Sequence, residues 1–197
     1  VDYQEVAKLV AADGAAGDLF GGSVAVDGDT VVIGAHMDDD GGSESGSAYV
    51  FRTSDGGATY VEVAKLTAAD AASGDSFGFS VAIDGNTIVV GAQSDDGGGS
   101  AYVFRTTDGG ATYDQVAKLT AADAATDDYF GRSVAIDGGT IVVGASGDDD
   151  AGSSSGSVYV FRTSDGGATY GQVKKLTASD AAMGDFFGYS VAIAGDT

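Results

Sequence analysis

The stretch "FGFSVAIDGNTIVVGAQSDD", residues 77–96, decides the fold of this chain because the chain repeats it. Close copies begin at Phe20 and Phe130, and a shorter copy, "FGYSVAIAGDT", begins at Phe187. The starts at 20, 77, 130 and 187 are 57, 53 and 57 residues apart. A period of this length is typical of a repeat architecture in which each unit covers its neighbour. We interpret the chain as one array, 1–197, with units near 20–76, 77–129 and 130–186 and partial copies at 1–19 and 187–197.

Each unit contains four short strand patterns. Strand one, "SVAVDG" in the first unit, places Val24 and Val26 on one face and ends in an Asp-Gly pair, which favours a tight hairpin. Strand two, "TVVIGA", is apolar on both faces, as expected of a strand covered on both sides. An acidic loop follows it, then strand three, "SAYVFR", the turn "TSDGGAT", and strand four, "YVEVAKL". The Asp-Gly pairs lie at Asp27-Gly28, Asp84-Gly85 and Asp137-Gly138.

A four-stranded antiparallel sheet that is apolar on both faces has to stack against others. Radial stacking gives a β-propeller, so the predicted fold class is all-β, with about three and a half four-stranded antiparallel blades in this chain. A β-solenoid is the alternative, but its coils are shorter, about 20–30 residues. Lysine recurs on strand four, and we interpret it as protection of an exposed sheet edge. These lysines are Lys8, Lys65, Lys118 and Lys175.

Composition excludes several classes of function. The 197 residues include 30 acidic and 9 basic side chains, a formal charge of −21, which repels phosphate backbones and makes nucleic acid a poor partner. The chain has no cysteine, and therefore neither a disulfide nor a thiolate metal site. Its longest apolar runs, about five residues, fall far short of the ~18 that a membrane span needs, so no membrane insertion is expected.

The words "FGxSVA" and "VxGA" resemble the FG-GAP repeat family, which is known from integrin α-subunit propellers and from microbial and algal surface proteins. The resemblance implies a propeller in an extracellular or cell-surface protein, and it covers all 197 residues. The calcium loop of the integrin type, between strands one and two, does not carry over. This chain has only "DGDT", "DGNT" and "DGGT" there, which is too short to surround a cation with six to eight oxygens. The short hairpins are similar to those of the microbial and algal branch.

Two groups of carboxylates remain as candidate calcium ligands, because calcium prefers oxygen donors. The first is the loop after strand two, which otherwise is a solvated acidic loop. The second is the link between blades, where paired aspartates five residues apart are alternatively turn caps; the pairs also include Asp13 with Asp18 and Asp180 with Asp185. The candidate calcium ligands are Asp38, Asp39, Asp40, Asp95, Asp96, Asp148, Asp149, Asp150, Asp70, Asp75, Asp123 and Asp128.

Other recurring residues indicate structure more than chemistry. Arg52, Arg105 and Arg162 follow strand three in each unit, and we expect them to pair with neighbouring aspartates. The rings of "YVFR" are expected in the core, although one exposed ring per blade would suit carbohydrate. The only histidine, His36, lies in a variable loop, so no repeated histidine site exists.

The near-identity of the repeats argues against an enzyme, because a catalytic centre would make the blades diverge. The residues that break the repeat (Glu44, Arg132, Lys174 and Met183) look scattered along the sequence. We therefore predict a non-enzymatic extracellular module for adhesion or ligand binding, with protein or carbohydrate at the cell surface as partner. The alternatives are a structural building block that packs with copies of itself, and a polysaccharide-active propeller enzyme.

The two ends of the array lead to a further expectation. The chain opens with a lone strand four, "YQEVAKL", and closes with a lone strand one, "FGYSVAIAGDT". Unpaired strand edges are a liability in a monomer. We expect either further repeats beyond these residues or completion by a neighbouring copy of the chain. We also expect Phe20, Phe77, Phe130 and Phe187 to be buried at equivalent places.

Overall fold

The computed structural model describes residues 5–195, which form three four-stranded antiparallel sheets, each in the order one-two-three-four. The first sheet contains β1 (Ser23–Asp27), β2 (Thr30–Ala35), β3 (Ser47–Arg52) and β4 (Val61–Leu66). The second contains β5 (Phe77–Asp84), β6 (Thr87–Ala92), β7 (Ser100–Arg105) and β8 (Asp114–Leu119), and the third contains β9 (Phe130–Asp137), β10 (Thr140–Ala145), β11 (Ser157–Arg162) and β12 (Gly171–Leu176). Between residues 5 and 195, the helical structure is a single 3-10 turn, Asp95–Gly97.

The sheets are the blades of a propeller, as the sequence predicts. Neighbouring blades contact through their first and second strands, β1 and β2 with β5, and β5 and β6 with β9. The first strands of successive blades therefore lie together on the inner side. The predicted hairpins form at all three Asp-Gly pairs, where Gly28, Gly85 and Gly138 adopt positive φ.

The core lies between the blades. Val134 and Ile136 of the third blade pack in one cluster with Val89 and Val103 of the second. In the second blade, the neighbouring residues Val89 and Val90 on β6 point to opposite faces and are both fully buried, which confirms that strand two is covered on both faces. The rings of "YVFR" are also core residues: Tyr49, Tyr102 and Tyr159 have no exposed surface. The prediction of core for these rings is confirmed.

The repeated phenylalanines match the prediction only in the inner copies. Phe77 and Phe130 are fully buried, each against the aromatic residues of strand three in its own blade. Phe20 is half-buried, and 36% of Phe187 is exposed, so the prediction is wrong for Phe187. The reason is that Phe187 has no strand three of its own copy to pack against in this structure.

The predicted lone strands at the two ends are not formed in the described part of the chain. Residues 5–9 of "YQEVAKL" have no strand structure, and Tyr3 and Gln4 lie outside the described residues. Phe187 makes an isolated bridge to Gly156, and residues 188–195 form no strand. A strand needs a hydrogen-bonded partner, and among residues 5–195 the segment has only the one bridge to Gly156.

Candidate functional site

Successive blades meet at an interblade seam, which we define by the Gly of "FGxS", the Ser of "FGxS" and the Gly of "VxGA". At the first seam the Ser23 hydroxyl donates to the Gly78 carbonyl oxygen at 2.8 Å. A Cβ atom on Gly34 would lie 2.0 Å from that same oxygen. Gly78 has φ +89°, a conformation that favours glycine. The backbones of the two blades are therefore in direct contact, which explains why the repeated motifs "FGxS" and "VxGA" contain small residues at these positions.

The seam is repeated between the other units. Ser80 donates to the Gly131 carbonyl, and Ser133 to the Gly188 carbonyl, both at 2.8 Å. At the opposite end of the blades, the N–H of Gly85 donates to the Asp27 carboxylate at 2.7 Å. The hairpin aspartate of each blade thus caps the hairpin of the next one.

Lysine clusters lie at the end of each blade where the acidic loop and the incoming link meet. In the third blade, Lys175 Nζ lies 2.7 Å from Asp123, 2.9 Å from Asp148 and 2.5 Å from Asp150. The Tyr159 hydroxyl lies 2.9 Å from both Asp123 and Asp148, and the ammonium also lies over its ring. The equivalent clusters are Lys65 with Asp13, Asp38, Asp40 and Tyr49, and Lys118 with Asp70, Asp95, Asp96 and Tyr102.

The ionisation of these clusters follows from their contacts. Burial opposes the charge of Asp148, but hydrogen bonds from Lys175, the Asp150 N–H and Tyr159 outweigh it, so its pKa is lowered. Burial also opposes the Lys175 ammonium, yet its carboxylate partners raise its pKa. Both groups are therefore charged at neutral pH, and the lysine is an internal counter-ion. Sequence reasoning treated this lysine as edge protection and missed the cluster.

The remaining candidate calcium ligands cap backbone groups. Asp39 and Asp149 accept hydrogen bonds from the N–H groups of Glu44 and Ser154, which closes the long acidic loops. The second aspartate of each link accepts from a backbone N–H three residues earlier. These contacts are Asp18 with Ala15, Asp75 with Ala72, Asp128 with Ala125 and Asp185 with Ala182, at 2.6–2.7 Å. The turn-cap interpretation is confirmed for this aspartate, and burial raises the pKa of Asp75 and Asp128.

Calcium at the acidic clusters stays a prediction. The carboxylates of Asp123, Asp148 and Asp150 have oxygen atoms within 4.8 Å of one another, as a shared cation requires. The donor type suits calcium. The Lys175 ammonium, however, contacts all three carboxylates, so a calcium ion has to displace a charge that the protein already supplies.

Two of the three repeated arginines, Arg52 and Arg105, bind a turn of the next blade and not an aspartate. Arg52 Nη1 donates to the carbonyl of Gly109 in the next blade, and Arg105 Nη1 donates to that of Gly166. The salt bridges found between residues 5 and 195 all belong to lysines. The predicted arginine-aspartate pairing is therefore wrong, because a glycine carbonyl in the turn between strands three and four of the next blade takes the place of the carboxylate.

Side chains that do not repeat come together at one place, which we call the inner rim: His36, Phe79, Gln93, Arg132 and Tyr189. The guanidinium of Arg132 lies 4.2 Å from the ring centroid of Tyr189 and 5.5 Å from that of Phe79. Its Nη1 donates to Gln93 Oε1 at 3.1 Å. His36 packs edge-on against Phe79 with ring centroids 5.2 Å apart, and burial lowers the pKa of His36.

The inner rim collects residues from all three blades and from the last partial copy. Phe79, Arg132 and Tyr189 occupy the variable position of "FGxS", where the first unit has Gly22. His36 and Gln93 are the residues that follow "VxGA". Sequence reasoning described Arg132 as scattered, and that description is wrong. The signal available in the sequence was the x position of "FGxS", which varies between units while the residues around it are repeated.

The fold and the seams define a repeat protein of the propeller class, with blades joined by backbone contacts between small residues. The model of the FG-GAP repeat family matches residues 3–51, 60–104, 113–161 and 170–197. The chain belongs to the FG-GAP repeat family. Membership indicates a ligand-binding repeat module; members are typically extracellular, and the family is generally non-enzymatic.

Comparison with curated proteins gives no match. Among solved structures, the chain is similar to the crystal structure of Saccharomyces cerevisiae Sqt1, with a TM-score of 0.51 and 13% sequence identity. The similarity covers 82% of this chain and 37% of that one, and it concerns the fold alone. Across residues 5–195, no helix has the length and apolar character needed to cross a membrane.

Proposed function

We propose that the chain is an extracellular adhesion module that binds its ligand at the inner rim. The observation that carries the proposal is the gathering of non-repeated side chains at this rim. At the seams and in the lysine clusters, by contrast, the units agree in both residues and contacts. A ligand-binding surface is the part of a repeat array in which differences between units are useful.

The charged clusters support this choice by elimination among candidate sites. The carboxylates of the lysine clusters accept hydrogen bonds from lysine, tyrosine and backbone groups of the same chain. Such contacts hold the blades together and leave these groups occupied. At the inner rim, by contrast, Tyr189 is 59% exposed and Arg132 is half-buried. Aromatic and arginine side chains with this exposure are typical of binding surfaces.

The test compares retention of coated beads on surfaces. Beads carry the wild-type chain, the variant Arg132→Gln or the variant Lys174→Gln, and the surfaces carry extracellular polysaccharide or extracellular protein. We expect retention of wild type and Lys174→Gln on one of the surfaces and loss of retention with Arg132→Gln. Equal retention of all three chains would assign the adhesion to another surface, and no retention at all would overturn the proposal.

Self-assembly is the second candidate function, favoured by exposed apolar faces on the outer blades. Val24 and Val26 on β1 are exposed, whereas Val134 and Ile136, at the same positions of β9, are buried by a neighbouring blade. Val173 and Leu176 on β12 are exposed in the same way. Copies of the chain would bury both faces. Electron microscopy of the purified chain decides: filaments favour assembly, and discrete particles argue against it.

A further inference from the structure

The hydrogen-bond donors that stay free at the inner rim indicate which class of ligand it binds, and this inference rests on the proposed function. Arg132 has five N–H donors, of which one bonds to Gln93. It takes no part in the salt bridges of residues 5–195, although the chain carries 30 acidic residues. Its ring neighbours fix the plane of the guanidinium. The donors that remain form a fixed fork beside an aromatic surface.

Two further exposed aromatic residues, Phe186 and Tyr129, lie three residues before the rim residues Tyr189 and Arg132. Phe186, with 47% of its surface exposed, accepts through its carbonyl the N–H of Tyr189 at 3.0 Å. Tyr129, 38% exposed, does the same for the N–H of Arg132 at 3.1 Å. Each of these residues thus begins a turn that ends on a rim residue. Their exposed side chains add flat apolar surface near the rim.

The net charge of the chain and the charge of Arg132 further restrict the class of ligand. A formal charge of −21 repels a polyanion before it reaches the rim. Arg132 repels a cationic group at the rim itself, because its own positive charge is close to the ring faces. His36, whose pKa is lowered by burial, adds no second positive charge at neutral pH. The electrostatics therefore favour a ligand without net charge.

We propose that the inner rim binds a neutral, polyhydroxylated saccharide. The C–H face of a sugar ring packs on Tyr189, whose exposed surface is the largest among the rim aromatics. Sugar hydroxyl oxygens accept hydrogen bonds from the free N–H groups of Arg132. The Gln93 amide, which already accepts from Arg132, has donors to offer. No part of this contact involves the lysine clusters.

The experiment is titration calorimetry at neutral pH and 150 mM salt, with the full 197-residue chain. The probes are neutral hexasaccharides of glucose, mannose, galactose, xylose and N-acetylglucosamine, with a hexamer of galacturonate as the acidic probe. We expect at least one neutral hexasaccharide to bind, and we expect Tyr189→Ala and Arg132→Gln each to weaken that binding at least 10-fold. Lys174→Gln removes the same charge outside the rim and should bind like wild type.

Three outcomes would overturn the inference: no neutral probe binds, only the galacturonate hexamer binds, or the rim variants bind as wild type does. Thermal unfolding of each variant shows that it is folded. Failure of the ligand class and failure of the proposed function are distinguishable. If bead retention depends on Arg132 while every neutral saccharide fails, the rim is a binding site for another class of ligand. If retention ignores Arg132, the proposed function itself is wrong.

Discussion

The interblade seams and the inner rim lie only a few residues apart in sequence, yet they obey opposite rules. In "FGxS", the glycine and the serine make the same contacts at each seam. The letter between them is glycine, phenylalanine, arginine and tyrosine in turn. At the seam, backbone packs against backbone, which leaves no space for a larger side chain. The side chain at the x position of "FGxS" lies outside this contact and can differ between units. The same four-residue motif therefore supplies both the contact between blades and a residue of the candidate binding site.

The largest effect is expected at the seam. A methyl group on Gly91 would lie 1.9 Å from the Gly131 carbonyl oxygen, and Gly91 needs no unusual φ. Gly91→Ala should therefore force the blades apart and cost more than about 3 kcal/mol. Gly85→Ala is the control, because its methyl group meets nothing within 4 Å and only φ +54° is unfavourable; it should cost about 1 kcal/mol. Urea unfolding measures both, and equal losses would contradict the seam.

The lysine clusters come next. Lys175→Met leaves the buried Asp148 without its cation. We expect a loss of about 2–3 kcal/mol, below the range for fully buried pairs, because Asp123 and Asp150 are about half exposed. Lys174→Met, one residue earlier on an exposed position, should change stability by less than about 0.5 kcal/mol. A similar loss for both variants would mean that the cluster adds little.

Calcium sharpens the same comparison. In Lys175→Met the three carboxylates lack a counter-ion, so millimolar calcium should raise the Tm of this variant more than the same ionic strength of sodium does. The calcium prediction for the intact clusters requires that wild type respond in the same way. A specific response in the variant alone would show that the lysine holds the cation position in the wild type.

The direction in which stability changes with pH follows from whether folding lowers or raises the pKa of each group. The lowered pKa of Asp148 stabilises the fold above its unfolded value of about 3.9, and this contribution is lost as the pH falls through the folded pKa. The raised pKa of Lys175 stabilises below about 10.4 and is lost as the pH rises further. The burial-raised pKa of Asp128 works the other way, since its ionisation opposes folding. The deficit of Lys175→Met should therefore shrink below about pH 4; a deficit that is the same at pH 3 and pH 7 would argue against the cluster.

We expect a smaller difference in stability when equivalent serines of the second and third blades are replaced by alanine. The Ser157 hydroxyl donates to Asp148 at 3.0 Å, and Ser157→Ala should cost about 1 kcal/mol. The equivalent Ser100 is equally buried, but its hydroxyl has no partner in the described part of the chain. Ser100→Ala should therefore be neutral or slightly stabilising. The acidic loop of this blade is four residues shorter, and an equal loss for both serines would mean that the shorter loop still satisfies Ser100.

The smallest effect on stability is expected at the inner rim. Arg132→Gln and Tyr189→Ala each remove a side chain with solvent exposure, and the two side chains stack on each other. Each should change the free energy of unfolding by about 0.5 kcal/mol or less, even where ligand binding is lost. Chemical unfolding of the ligand-free chain measures this. A loss comparable to that of Lys175→Met would make the rim a structural element.

Local patterns predicted the blades because the signals lie within single strands and turns. The alternation of Val24 and Val26, the Asp27-Gly28 hairpin and the apolar "TVVIGA" each specify one strand or one turn. The cap alternative for the link aspartates was also open to local reasoning, since such contacts join residues three apart, and it holds for the second aspartate of each pair. Contacts between residues far apart in sequence were not predictable in this way, and there the expectation for Arg52 failed and the cluster of Lys65 was missed.

By itself, the sequence determined the number of units, the order of the four strands and the burial of the "YVFR" rings, because a repeated period and a strand alternation are local properties of the chain. Only the tertiary structure decided which charges meet and which variable residues become neighbours. Lys175 and Asp123 are 52 residues apart, and Arg132 and Tyr189 are 57 apart. Their contacts depend on how each blade is oriented against the next. Glycine backbones at the seam set that orientation, and glycine has no side chain from which a packing partner could be predicted.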